Sequence, residues 1–201
     1  MSTFGWTFMS RKALRRAEDL LAGDPAGVRD EIGFLLIHQR YADRFFPGTS
    51  VLHTRLRYVL FVPWMYETLR KGPPIKSANR TVEQAECKLA GRLLKAGDGV
   101  IGLLKYPEPI SQPPSVVYWT ALGAWGLLRP LNGGTRLPTR AHLHAALQSR
   151  SRLTFDDDGV PMNPPDNPFV ALPRAPKEWE GEGDLDFALR PSEINFLRAR
   201  L

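Results

Sequence analysis

Phe46-Pro-Gly-Thr-Ser-Val-Leu-His-Thr-Arg-Leu-Arg-Tyr-Val-Leu-Phe-Val-Pro-Trp64 is the stretch on which the fold turns. Pro47-Gly48 halts whatever helix precedes it, because proline cannot extend the hydrogen-bond ladder and glycine accepts turn backbone. Thr49 or Ser50 then offers a start, and the apolar spacing predicts a helix over about Val51–Lys71, kinked near Pro63. Wound at about 100° per residue, Leu52, Leu56, Val59, Leu60 and Pro63 share one face. Arg55 falls inside that face, while His53 and Arg57 lie off it. A guanidinium on an apolar face must be paired and hydrogen-bonded, so Arg55 is expected to form a structural ion pair with Asp30, Glu31 or Asp43. The alternative sets Arg55 and Arg57 against a phosphate beside the Gly48-Thr49-Ser50 turn, where open amides favour anions.

Working outward, the same reading predicts a mainly α chain: an irregular multi-helix bundle with at most a few short strands and a Pro-rich extended C-terminal segment. Upstream, Ser10 caps a helix over about Arg11–Ala22, and a second helical region runs from Pro25 to Phe46. Downstream, Thr81-Val-Glu-Gln84 fits a capping box and opens a helix to Lys95. Ser115 caps about Val116–Leu128, Thr139 caps Arg140–Arg150, and Pro191 begins the last helix, about Pro191–Leu201. Gly5–Met9 and Gly99–Lys105 are the candidate strands.

Charge divides the chain unevenly. Its 201 residues carry a net charge of +6, yet the first 150 carry +10 and the last 51 carry −4. The last part also holds 7 of the 18 prolines. This favours a basic helical domain over 1–150, followed by an acidic, Pro-rich segment over 151–201 that ends in a short helix. A single cysteine, Cys87, excludes a disulfide framework or a Cys-rich zinc module. The greasiest run, Tyr58–Tyr66, is far short of the roughly 20 residues a spanning helix needs. No membrane association is expected, and the expected location is the cytoplasm.

Two basic stripes point to nucleic acid. Arg11, Lys12, Arg15 and Arg16 crowd the start of the first helix, where positive charge opposes the macrodipole. Lys88, Arg92 and Lys95 recur at i, i+4 and i+7 on one helix face, a spacing able to follow a phosphate backbone. Arg57, Arg136 and Arg140 complete the expected nucleic-acid contacts. The segment Val116–Arg150 imitates a helix-turn-helix, but its connection is longer than the usual few residues. Trp119 and Trp125 are expected in the core. The ending helix offers Ile194, Phe196, Leu197 and Leu201 as an apolar face for a protein partner.

Catalytic patterns are missing: no Gly-rich phosphate loop, nucleophile elbow or His-Glu metalloprotease motif occurs. His142 and His144, two apart, point to different helix faces and make a poor metal pair. Cys87 beside Glu86 is an unpromising nucleophile. Asp156-Asp157-Asp158 lacks the alternation of a calcium loop and reads as a solvated turn. No cofactor, metal or catalytic residue is expected, and the enzyme reading, a nuclease or other hydrolase, ranks last.

The run Phe46-Pro-Gly-Thr-Ser50 with Thr54-Arg-Leu-Arg-Tyr-Val-Leu-Phe-Val-Pro-Trp64 resembles the signature of an uncharacterised bacterial family built on a domain of unknown function. Gly99-Val-Ile-Gly102, the stretch Pro114–Gly126, and Leu185–Leu201 with Arg190-Pro-Ser-Glu193 and Phe196-Leu-Arg198 are similar to it as well. Members are usually much longer, so this chain looks like a short version lacking a second half. The resemblance implies no catalytic residues. It implies phage-defence gene neighbourhoods with helicase- and nuclease-like genes, hence a DNA-linked role. Sequence and resemblance together lead to a non-catalytic subunit of a bacterial defence assembly that contacts nucleic acid, DNA by the resemblance, alongside subunits such as a helicase or nuclease. A protein scaffold without nucleic-acid contact is the alternative.

Overall fold

The computed structural model describes residues 34–131, 134–149, 158, 167–181 and 183–201. The expected helix at Arg11–Ala22, the strand at Gly5–Met9, the start of the region from Pro25, and Asp156 and Asp157 lie outside the described residues. Contacts divide the chain into one unit of residues 1–41 and another of residues 42–201. In chain order the helices are α1 (Phe34–Phe45), α2 (Tyr58–Lys71), α3 (Ala78–Arg92), α4 (Pro114–Val117), α5 (Trp119–Ala124), α6 (Arg140–Ser149), α7 (Lys177–Glu180) and α8 (Pro191–Arg198). Among the described residues the only β pairing is an isolated antiparallel bridge, Leu128 to Phe169. The fold is mainly helical, and Gly99–Lys105 forms turns where a strand was expected.

α2 is the hub of the larger unit. Every residue from Tyr58 to Tyr66 is buried, so this helix is wrapped on all sides. It begins seven residues later than Val51, the expected start, and the cause is remote. The Tyr118 hydroxyl accepts from the amides of Thr54 (2.9 Å) and Arg55 (3.0 Å) and donates to the Arg55 carbonyl at 2.8 Å. One phenol therefore satisfies backbone groups that a helix would have paired, and the segment before Tyr58 stays in turns. Pro63 lies inside α2, which runs through it to Lys71.

Two glycines fix the approach to α2. Gly48 has φ +74°, and a Cβ there would stand 2.6 Å from Ala124 Cβ on α5. Gly99 has φ +85°, and its Cβ would meet the Arg55 side chain at 2.8 Å. Both positions need positive φ and a missing side chain.

α3 begins at Ala78 rather than Thr81, and Thr81 Oγ1 donates to the Ser77 carbonyl at 2.8 Å instead of capping. It ends by Arg92, followed by a 3₁₀ turn at Leu94–Ala96. The single helix expected over Val116–Leu128 is two short ones, α4 and α5, broken at Tyr118; this also removes the helix-turn-helix geometry. α6 starts after Thr139 as its cap predicts, with the Thr139 hydroxyl accepting the His142 amide at 3.3 Å. α8 likewise starts at Pro191. The C-terminal segment joins the same core through Phe169, Leu185 and Leu197, each no more than 5% exposed. Among the described residues no helix is long and apolar enough to cross a membrane.

Candidate functional site

The residue buried at the start of α2 is Arg57, not Arg55. Arg57 is 1% exposed and reaches two carboxylates of the C-terminal segment. Its Nη2 donates to Glu193 Oε1 at 2.8 Å, and its Nη1 donates to Asp186 Oδ1 at 2.6 Å and to the Asp186 carbonyl at 2.9 Å. Its guanidinium also lies 5.3 Å from the Phe61 ring centroid. This corrects the expectation that Arg57 contacts nucleic acid, because a desolvated guanidinium held by two carboxylates has no reach to solvent. The helical wheel misassigned the two arginines because it assumed a helix already wound at Val51.

Arg55 is half-exposed and turns to Asp98 rather than Asp43, while Asp30 and Glu31 lie outside the described residues. Its Nε donates to the Asp98 carbonyl at 3.2 Å, its Nη2 stands 3.8 Å from Asp98 Oδ2, and it lies 5.9 Å over the Phe187 ring. The Gly48-Thr49-Ser50 turn is equally occupied. Thr49 Oγ1 donates to the Phe46 carbonyl at 2.7 Å, and Ser50 Oγ accepts the Leu52 amide at 3.2 Å. The amides that would draw a phosphate are engaged as well, Thr49 N–H donating to the Phe46 carbonyl at 3.1 Å and Ser50 N–H to His53 Nδ1 at 3.3 Å.

The stripe Lys88, Arg92, Lys95 is partly drawn inward by the same acidic segment. Arg92 donates to the carbonyls of Gly183 (2.9 Å), Trp179 (3.3 Å) and Glu178, and stacks over the Trp179 ring at 5.6 Å. Lys95 Nζ binds Asp184 Oδ2 at 2.8 Å, which holds its ammonium above the ordinary lysine range. Lys88 is exposed on α3, and Arg136 is exposed before α6. Arg11, Lys12, Arg15 and Arg16 lie outside the described residues.

A basic margin that the stripe reading missed sits between α2 and α3. Residues 68–82 carry Arg70, Lys71, Lys76 and Arg80 and no acidic residue. Lys71, Lys76 and Arg80 are exposed, and none pairs with a described carboxylate. Lys76 and Arg80 flank the N-terminus of α3, whose cap residue Ser77 makes no side-chain cap bond. Open amides and three cations within ten residues make this an anion-attracting edge. A running count of charge along the sequence carries the signal.

The apolar C-terminal face also closes on its own molecule. Leu197 is 2% exposed in the core, and Phe196 is partly buried against it beneath the Arg200 guanidinium at 4.8 Å. Only Ile194 (38%) and Leu201 (66%) keep substantial exposure, so the expected four-residue partner face is reduced to two. Trp119 and Trp125 pack against the core, with indole N–H groups donating to the Pro138 and Pro47 carbonyls at 3.2 and 2.8 Å.

Beside α3 and α6 lies a cavity of about 480 Å³, closed on its third side by the loop before α4. Glu86, 5% exposed, lines it and accepts the Ser115 amide through Oε1 at 2.8 Å. Burial pushes its carboxyl above the usual range, partly offset by Ser115 and the charge of Arg140. At the α6 wall, His144 Nδ1 contacts Asn79 Oδ1 at 2.5 Å and Nε2 contacts the Tyr66 hydroxyl at 3.0 Å. That pattern sets Nδ1 as donor and Nε2 as acceptor of the tyrosine proton. Burial, then the Arg140 charge, lowers the His144 pKa and so favours the neutral ring. Arg140, expected on a nucleic-acid surface, instead lines this cavity, and its Nε is buried without a hydrogen-bond partner. Burial and the carboxylates Glu83 and Glu86 push the Cys87 thiol up, away from thiolate chemistry.

Neither the comparison with curated proteins nor that with solved structures finds a match. A family model does: it is described as a family of unknown function (DUF6361), it matches residues 1–201, and the chain belongs to that family.

Proposed function

We propose that the protein is a non-catalytic subunit that contacts the DNA backbone along the margin formed by Lys71, Lys76 and Arg80. The observation that carries this reading is the acid-free stretch 68–82, whose three exposed cations run from the end of α2 to the first turn of α3. Phosphate contacts of this kind position a protein on nucleic acid without reading its sequence. Arg11, Lys12, Arg15, Arg16, Lys88 and Arg136 join the proposal as further contacts. The acidic C-terminal segment, by engaging Arg57, Arg92 and Lys95, withdraws those three cations from the basic surface. The phage-defence setting, with helicase- or nuclease-like subunits, belongs to the same proposal and rests on the resemblance of the Phe46–Trp64 signature.

The test is fluorescence anisotropy on a labelled DNA duplex across a salt series. The three margin cations contribute about −2.7 to the slope of log affinity against log salt, a fall of about 40-fold between 50 and 200 mM from them alone, and the further contacts steepen it. Lys71→Ala, Lys76→Ala and Arg80→Ala together should flatten that slope and leave folding intact. Failure of the native protein to shift DNA at low salt removes this reading. The scaffold reading then takes its place, favoured by the occupation of Arg57, Arg92 and Lys95 within the chain.

A further inference from the structure

We infer that the cavity between α3, α6 and the loop before α4 is a binding site for a small organic cation, a primary amine or guanidine carried on an apolar body. Its volume of about 480 Å³ falls within the size of small-molecule sites, which are mostly apolar with a few placed polar groups. Val82, Ile101, Ile110 and Val116 supply apolar wall, and Tyr106 an aromatic one. The charged lining is lopsided: Glu83, Glu86 and Glu108 face one cation, Arg140.

Glu86 is the group that selects the ligand. It is 95% withdrawn from solvent, and Ser115 is its one hydrogen-bonding neighbour among the described residues. No described cation forms an ion pair with it. A buried carboxylate compensated only by Ser115 and by the Arg140 charge without an ion pair is costly to ionise, and a ligand ammonium brought beside it supplies the missing charge-assisted hydrogen bond. Burial raises the carboxyl pKa in agreement with that shortage. Glu83, exposed one turn earlier on α3, adds negative charge at the mouth. An anionic ligand would meet three carboxylates against the single guanidinium of Arg140, and a neutral one would leave Glu86 as it is.

Cys87 makes the site readable, because it lines the cavity, is partly exposed and is the only cysteine in the chain. The experiment follows iodoacetamide alkylation of Cys87 in the full chain by intact mass, with phenethylamine, agmatine, 2-phenylethanol or 3-phenylpropionate present, and titrates each by calorimetry. The expected result is that at least one cation slows alkylation and binds, while the alcohol and the carboxylate do neither. Glu86→Gln should weaken the cation about tenfold or more, the loss of a charged hydrogen bond. Glu83→Gln, at an exposed position, should weaken it less and serves if Glu86→Gln does not fold. No protection by either cation, equal protection by the alcohol, or unchanged affinity in both variants would overturn the assignment. DNA binding through the α2–α3 margin is read separately and does not enter this outcome.

Discussion

Replacing Glu193 by alanine tests the clasp that joins the two ends of the larger unit. Glu193 is 1% exposed and serves two donors, accepting Arg57 Nη2 through Oε1 at 2.8 Å and the Arg190 amide through Oε2 at 2.9 Å. Breaking a buried pair by removing one partner costs about 3–5 kcal/mol, because the other charge stays desolvated. Asp186 remains on Arg57 at 2.6 Å and softens that cost. Loss of the bond to Arg190, which closes the first turn of α8, adds about 1 kcal/mol. The net expectation is about 3–4 kcal/mol, or a fall in Tm of about 6–16 °C for a unit of this size. Thermal and urea unfolding followed by circular dichroism measure it. The double variant Arg57→Met with Glu193→Leu removes both charges while keeping volume, and should recover most of the loss. A Tm change under about 2 °C for Glu193→Ala, or a double variant as unstable as the sum of its singles, would refute the account.

Other outcomes follow from single contacts. Tyr118→Phe deletes the hydroxyl that serves Thr54 and Arg55, and should cost about 1–3 kcal/mol in urea unfolding. Gly48→Val forces a branched side chain to φ +74° against Ala124, and should lower Tm by more than Gly97→Val, where φ is +85° but nothing stands within 4 Å of the new Cβ. For Glu86 the sign is set by a folded pKa raised above its unfolded value: the native state holds the proton longer, so stability falls as pH rises from about 4.5 through the raised value. Glu86→Gln abolishes that decline, and its stability relative to the native protein should therefore grow over the same window, as urea midpoints at stepped pH will report.

What could be read from the sequence and what could not separates by distance along the chain. Thr139 before α6 and Pro191 at the head of α8 are local signals acting within one turn, and both helices start where those signals put them. The start of α2 is set by Tyr118, more than sixty residues away, and no local pattern carries that information. Arg57 took the buried ion pair expected of Arg55 for the same reason, since the carboxylates that hold it lie 129 and 136 residues downstream. The cavity is assembled from three separated segments and leaves no motif. The margin at Lys71, Lys76 and Arg80 was different: its missing acids are plain in the sequence, but a search for helical stripes passes over a cluster that spans a loop.

Because Arg57 finds its carboxylates only 129 and 136 residues downstream, the core cannot mature from its first element outward. During synthesis the hub helix leaves the ribosome with its cation unanswered, and it stays so until α8 has been made. A stop codon placed before Asp186 would therefore leave a desolvated guanidinium at the centre of the core with neither of its carboxylates.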